Sequence, residues 1–255
     1  MWYDAKNAPF KIYGVFYDKT YMQYKRMPTE IATHINEGVE FLHKHTAGGR
    51  IRFITDSPFI SIKCVAPYEK PNPHMTIVAS HGFCITADNE YLGFISPTID
   101  NFLNIKEDEI SFNGVVYTEK KDYQATIFMP LYSPVSQVYI GIKKGCSIKE
   151  PKPYKFQQPI LFYGSSITQG GCADKSCDDY ISRLSMWLDT DVINLGFSGS
   201  AKGEQEICDY LTTLNPSIFV CDYDNCLAVV AHVSHDSKEL VIIGNNTTQI
   251  NRNDC

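Results

Sequence analysis

A chain of 255 residues with 44% hydrophobic and 20% charged residues has the composition of a folded protein, not of a disordered one. Its formal net charge of -6, with no basic stripe, excludes the usual nucleic-acid-binding surface. No apolar run approaches the roughly 20 residues of a bilayer-spanning helix, so no membrane partner is expected. The N-terminal "MWYDAKNAPFKIYG" lacks a charged-then-apolar export pattern, and the expected localisation is cytoplasmic. The nine cysteines, scattered and odd in number, are then expected to be reduced thiols. Cys172 and Cys177 have no second pair or nearby histidine to complete a zinc site, so no metal or other cofactor is expected.

Residues 1 to about 150 read as β structure. The runs "RIRFITDS", "FISIKCVA", "MTIVAS", "GFCITAD", "EYLGFIS", "YQATIFMP" and "QVYIGIKK" are short and rich in Ile, Val, Phe, Tyr and Thr. Turn formers such as "DSP", "PNP" and "FNG" separate them, a spacing that predicts an all-β sandwich of the jelly-roll kind. The exception is "PTEIATHINEGVEFLHKHT", which reads as a helical turn or a long loop. Its His43 and His45 lack a third ligand and so make a weak metal candidate. The proline- and lysine-rich "GCSIKEPKPYKFQQP", residues 145–159, predicts a linker or strap between two domains.

The pattern then changes to alternating strand and helix. "PILFYG", "DVINLGF" and "SIFVCDYD" read as strands. "DDYISRLSMWLD" and "GEQEICDYLTTLN" read as helices, the first with Tyr180, Ile181, Leu184, Trp187 and Leu188 at helical spacing. Such alternation builds a parallel sheet with helices on its faces, and ligands gather at the carboxyl ends of its strands. All three strand ends carry small or polar residues: "GSSITQGG", "GFSGSAKG" and "DYDN". An isolated Gly-Ser turn is usually structural. Two of them at strand ends of one sheet point instead to an exposed serine hydroxyl surrounded by backbone N–H donors, the arrangement that stabilises an oxyanion during acyl transfer.

"YGSSITQGG", "NLGFSGSAKGE" and "DYDN" resemble the first three blocks of the SGNH (GDSL-type) hydrolases, in particular those with a β-sandwich module ahead of the hydrolase domain. "WYDAKNAPFKIYG" and "HTAGGRIRFITDSPFISIK" resemble that module. The resemblance implies two domains: a β-sandwich at 1–150, and an incomplete three-layer, flavodoxin-like α/β hydrolase domain with a parallel sheet at 159–255. It implies Ser166 as nucleophile, with Ser165 at a position that is often Asp. It implies an oxyanion hole from the Ser166 and Gly199 N–H groups and, from the third block, an asparagine. Here Asn225 stands one position early and Cys226 fills the expected place.

The family's histidine base, in an Asp-x-x-His arrangement, has no counterpart: none of the seven histidines has Asp three residues before it. His232 and His235 are the weak candidates after the linker, and Glu40 before His43 is the nearest match elsewhere. The segment after about Asn225 is therefore expected not to be the family's own continuation, as a truncation or reading-frame shift would produce, and the chain is expected to be inactive or nearly so. Two functions follow. One is a serine acyl-ester hydrolase acting on a small-molecule or carbohydrate ester, such as a sugar O-acetyl group. The other is a non-catalytic protein that binds a carbohydrate or a partner, with a degenerate hydrolase domain.

Overall fold

The computed structural model describes residues 1–223 and the strand backbones at 227–233 and 240–243. Four short strands come first: β1 (Trp2–Asp4), β2 (Lys11–Tyr13), β3 (Phe16–Asp18) and β4 (Gln23–Lys25). The helices α1 (Thr29–Ala32) and α2 (Glu37–Leu42) follow, where the sequence left a helical turn or a loop open. Then come β5 (Arg50–Thr55), β6 (Phe59–Pro67), α3 (Ile77–Ser80), β7 (Phe83–Ala87) and β8 (Glu90–Ile95). Next are α4 (Ile99–Leu103), β9 (Glu109–Tyr117), β10 (Tyr123–Phe128), β11 (Gln137–Gly141) and β12 (Ile148–Lys149). The last stretch holds β13 (Phe156–Gly164), α5 (Ser166–Gln169), α6 (Tyr180–Leu188), β14 (Thr190–Gly196), α7 (Gln205–Thr212), β15 (Ile218–Tyr223), β16 (Leu227–Val233) and β17 (Leu240–Ile243).

Two antiparallel sheets build the first part. One has the order β1-β11-β6-β9, and the other β12-β5-β10-β7-β8 with β2 also on β5. Alternation decides which residues face inward. Ile60 and Ile62 of β6 and Val138 and Ile140 of β11 share one core with Ile51 and Phe53 of β5 and Phe83 and Ile85 of β7. Burying each of these side chains contributes about 1.5–3 kcal/mol. The opposite face of β7 and β10 carries Cys84 and Phe128, which meet Cys177 from the second part.

Two readings of this region are corrected. "MTIVAS" contains a helical turn, not a strand, because the Thr76 side chain accepts the Ala79 N–H and so caps α3. "FNG" is not a turn: Asn113 and Gly114 pair with Lys63 and Ile62 inside β9. The expected linker is tied down as well, with β12 on β5 and Tyr154 buried against Arg50.

In the second part β13 lies parallel to both β14 and β15. Alternate residues of β13 face opposite layers. Ile160 and Phe162 pack with Ile181 and Leu184 of α6, while Leu161 and Tyr163 pack with Ile207 of α7 and with Met27, Val39 and Leu42 of the first part. The helical spacing thus holds for α6, although Trp187 ends up 73% exposed. The expectation of a parallel sheet holds for three strands only. β16 is antiparallel to β15 and β17 to β16, so the sheet runs β14-β13-β15-β16-β17. Three residues separate β15 from β16, whereas a parallel crossover needs a dozen or more.

The reduced-thiol expectation also fails: Cys84 and Cys177 form a disulfide with their Cα atoms 5.7 Å apart. Residues 93 positions apart in sequence were brought within bonding distance by the tertiary fold.

Two buried arginines join the parts. Arg26 is 3% exposed and donates to the carbonyls of Leu42 (2.7 Å), His45 (2.9 Å), Asn194 (3.2 Å) and Gly196 (2.6 Å). Burial pushes its guanidinium down to about 9, which leaves it charged at neutral pH. Arg50 donates to Tyr154 Oη, Gly48 O, Asp191 Oδ1 and Val192 O. Replacing Arg26 by Leu strands four buried carbonyls and is expected to cost about 3–5 kcal/mol. Urea unfolding followed by circular dichroism measures this, and a loss below about 1 kcal/mol would contradict the clamp.

Candidate active site

Backbone register brings the three small-residue strand ends into one row. Gly164 of β13 is level with Gly196 of β14 and with Asp222 of β15. The Phe197 N–H donates to Gly164 O at 2.7 Å, tying the second block to the first. Gly196 cannot carry a side chain, since a Cβ there would lie 2.2 Å from the Gln169 nitrogen. That contact lets α5 sit directly on the strand ends.

Ser165 and Ser166 stand where β13 turns into α5. Ser165 is buried and its Oγ accepts the Gly199 N–H at 3.1 Å. Gly199 itself has φ +66°, a left-handed conformation suited to glycine. Ser166 is half-buried and opens the first turn of α5, where backbone N–H groups have no acceptor within the helix. Its carbonyl is held by the Gly170 N–H (3.1 Å), the Gly171 N–H (2.7 Å) and Tyr132 Oη (3.2 Å). Ser165, Ser166 and Gly199 are therefore together. Asn225 and His235 lie outside the described residues, while His232 of β16 is level with Ile218, at the opposite end of β15 from Asp222 and the serine row, so the sequence's His232 candidate is not brought to Ser166.

Several residues that the sequence did not mark hold this arrangement. Thr168 Oγ1 donates to Asp222 Oδ2 at 3.0 Å, and Tyr180 Oη to the same oxygen at 3.3 Å. Buried Gln169 accepts the Ser198 N–H at 2.9 Å, and its Nε2 contacts Leu131 O and His45 Nδ1, both at 3.2 Å. His45 Nε2 in turn meets Glu69 Oε2 at 2.7 Å. With Nδ1 accepting from the amide, the proton sits on Nε2, and burial lowers the imidazole's pKa despite Glu69. His45, read from the sequence as a weak metal candidate, is thus a hydrogen-bond link. His43 Nδ1 meets the Glu40 carbonyl, not its carboxylate, at 2.6 Å. Among the described residues no histidine hydrogen-bonds to Ser166, and none forms a metal cluster.

A cleft of about 840 Å3 opens beside Ser198 and Ser200. Its other walls come from the first part: Phe41, His45, Tyr132 and the loop Glu69–Pro73. Mixed aromatic and polar walls of this size suit a small organic ligand.

These features place a serine pair and backbone donors at the carboxyl ends of an α/β sheet, and comparison with known proteins gives the family. Residues 1–148 match the family described as the N-terminus of SGNH-hydrolase-type esterases (GxDLY), and residues 157–243 match the GDSL-like lipase/acylhydrolase family. The chain belongs to the SGNH-hydrolase-type esterases. Among solved structures it is similar to one named as a GDSL-like lipase from Bacteroides ovatus, with 25% identity and a TM-score of 0.76 over 88% of this chain and 64% of that one. It is also similar to a salicylyl-acyltransferase from a tetracycline biosynthetic pathway, with 14% identity and a TM-score of 0.64 over 86% of this chain and 60% of that one. The chain thus spans less than two thirds of either length. No curated protein sequence matches it.

Behind α5, Asp179 caps α6 through Oδ1, which accepts the Ser182 N–H, while its buried Oδ2 has no partner among the described residues. Burial raises the carboxyl to about 6, against the opposing hydrogen bonds and the Arg50 charge. A carboxyl raised in the fold favours folding below its unfolded pKa of 3.8, and that contribution is lost as pH rises through about 6. Asp179→Asn keeps the cap without the buried charge. It is expected to match the parent at pH 4 and to gain on the order of 2 kcal/mol at pH 7.5, read from melting curves at the two pH values.

Proposed function

We propose that the chain is a serine acyl-ester hydrolase of the SGNH type, with Ser166 as nucleophile and the Ser166 and Gly199 N–H groups as oxyanion donors. The observation that carries this is the Gly199 N–H bond to Ser165 Oγ, which holds the second block's donor beside the first block's serine pair. An oxyanion needs such donors about 3 Å away. Ser165, where the family often has Asp, holds the Gly199 N–H in the free chain, so the oxyanion takes that donor over from Ser165 Oγ, and Ser166 is the more exposed hydroxyl. Asn225 is proposed as a third donor from the third block.

In this reading Ser166 Oγ attacks the acyl carbon and expels the alcohol, and water then hydrolyses the acyl-enzyme. The substrate is proposed to be a small acyl group on a sugar or similar polyol. Residues 1–150 act as a β-sandwich module whose Phe41, Tyr132 and Glu69–Pro73 form the cleft walls around that alcohol, and 159–255 act as the hydrolase part. The base is the open element. With no described histidine on Ser166 and His232 at the far end of β15, His235 is the remaining candidate after the linker. The same observation supports the second reading, a binding protein with a degenerate hydrolase part.

The test is hydrolysis of p-nitrophenyl acetate at neutral pH. Without a working base, the unassisted Ser166 hydroxyl is a poor nucleophile, and turnover is expected to be far below that of an ordinary esterase but above background. Ser166→Ala is expected to bring it to background, and Ser165→Ala to lower it by about tenfold through a misplaced Gly199 N–H. Turnover that survives Ser166→Ala would remove Ser166 from the mechanism. A folded chain with no turnover above background would favour the binding reading.

A further inference from the structure

In the free chain the Gly199 N–H is bonded to Ser165 Oγ at 3.1 Å. An oxyanion that takes this N–H over breaks that tie, so the loop carrying Gly199 must then be held by its other contacts. Two of them flank the glycine. On one side the Ser198 N–H is accepted by Gln169 Oε1 at 2.9 Å, and Gln169 is itself fastened to Leu131 O. On the other side the Ser200 carbonyl accepts from Asn36 Nδ2 at 3.0 Å. The Ser200 N–H closes back on Phe197 O at 2.9 Å, which makes 197–200 a turn with Gly199 near its tip.

Asn36 belongs to the first part, 164 positions before Ser200 in sequence. It is the N-cap of α2, where its Oδ1 accepts the Val39 N–H at 2.9 Å. Its Nδ2 donates to Ser200 O and to Glu204 Oε1, the latter at 2.6 Å. One acceptor contact on one side and two donor contacts on the other fix the amide's orientation. Asp and Ser cap a helix about as well as Asn. Asp, however, brings no donor, and the shorter Ser side chain stops at the cap. The double task selects asparagine.

Two residues further on, α2 meets the same turn directly. A Cβ on Gly38 would lie 2.7 Å from Ser200 Cβ and closer still to its Oγ. Glycine is a poor helix residue, and Gly38 does not have a left-handed φ that would call for it. The close approach to Ser200 accounts for it instead. Asn36 thus pulls on the carbonyl after Gly199, and Gly38 lets the first turn of α2 back directly onto that residue.

We propose that Asn36 and Gly38 are positioning residues for the oxyanion donor. From the first part they hold the turn at 197–200, so that the Gly199 N–H keeps its place when Ser165 Oγ releases it. The link to acyl transfer rests on the hydrolase reading above; the hold on the turn does not.

The experiment uses the full chain with Asn36→Ser, with Gly38→Ala, and with Gly38→Ala combined with Ser200→Gly. The first keeps the α2 cap, the second installs a better helix former, and the third removes the side chain that the new Cβ meets. Backbone 15N order parameters at Ser198, Gly199 and Ser200 read the hold on the turn, and hydrolysis of p-nitrophenyl acetate reads its use. In Asn36→Ser the Gly199 order parameter is expected to fall from about 0.85 to below about 0.6, with β6 and β11 unchanged. Its kcat is expected to fall about tenfold with KM within about twofold, the pattern of a group that acts in the transition state. Gly38→Ala is expected to lose kcat to a similar degree, and the double variant to recover most of it. A purely structural role predicts the opposite, a Gly38→Ala chain that is at least as stable and equally active. The proposal is overturned if Gly199 is as rigid in Asn36→Ser as in the parent, if both single variants keep the parent kcat, or if Ser200→Gly fails to restore Gly38→Ala. A parent without turnover, or turnover that survives Ser166→Ala, would refute the hydrolase reading, and the order parameters would then decide the hold on the turn by themselves.

Discussion

The structure depends on one buried cation. Arg26 satisfies two carbonyls in the α2 region and two on β14, and it lies 4.8 Å over the Phe197 ring. A desolvated guanidinium is costly unless its N–H groups are all used, so it fixes the distance between the two parts wherever it is accommodated. Gly196, one of its acceptors, is the residue on which α5 rests. The clamp that joins the parts therefore also sets the height of the serine turn.

The same coupling continues through neutral groups. Glu69, His45, Gln169 and the Ser198 N–H form one hydrogen-bonded series that starts in the first part and ends on the loop carrying Gly199. A buried network of this kind is useful only when every member is satisfied. His45 meets that demand by remaining neutral, with Nδ1 as acceptor. The first part is thus both a wall of the cleft and a support for the donor loop, and the two roles cannot be separated by removing it.

The disulfide has a related effect. Cys84 lies on the outer face of β7, and Cys177 lies in the segment between α5 and α6, so the bond fastens the chain leaving the serine turn to the antiparallel sheet. Together with Arg26 and Arg50 it makes three cross-connections between the two parts. The parts share a sizeable apolar contact as well, since Met27, Val39 and Leu42 complete the core beneath α7.

The amino-acid sequence alone determined the local elements and the identity of the serine turn. Period-2 runs located most of the antiparallel strands, helical spacing located α6 and α7, and "GSSITQGG" beside "GFSGS" marked the strand ends, because these signals reside in neighbouring residues. It misread "MTIVAS", where a threonine cap outweighed β-branched composition, and "FNG", where pairing with β6 outweighed turn chemistry. Asn225 and His235 stayed with the sequence reading, since they lie beyond what the structure describes, whereas strand register removed His232 from the serine end. The tertiary structure decided the rest: the Cys84–Cys177 bond, the Arg26 clamp, the antiparallel continuation of the second sheet, and the roles of Gln169, His45 and Tyr132. Each depends on groups tens of residues apart meeting at bonding distance or on the short link that turns one strand back on another, and residue type or periodicity does not encode such meetings.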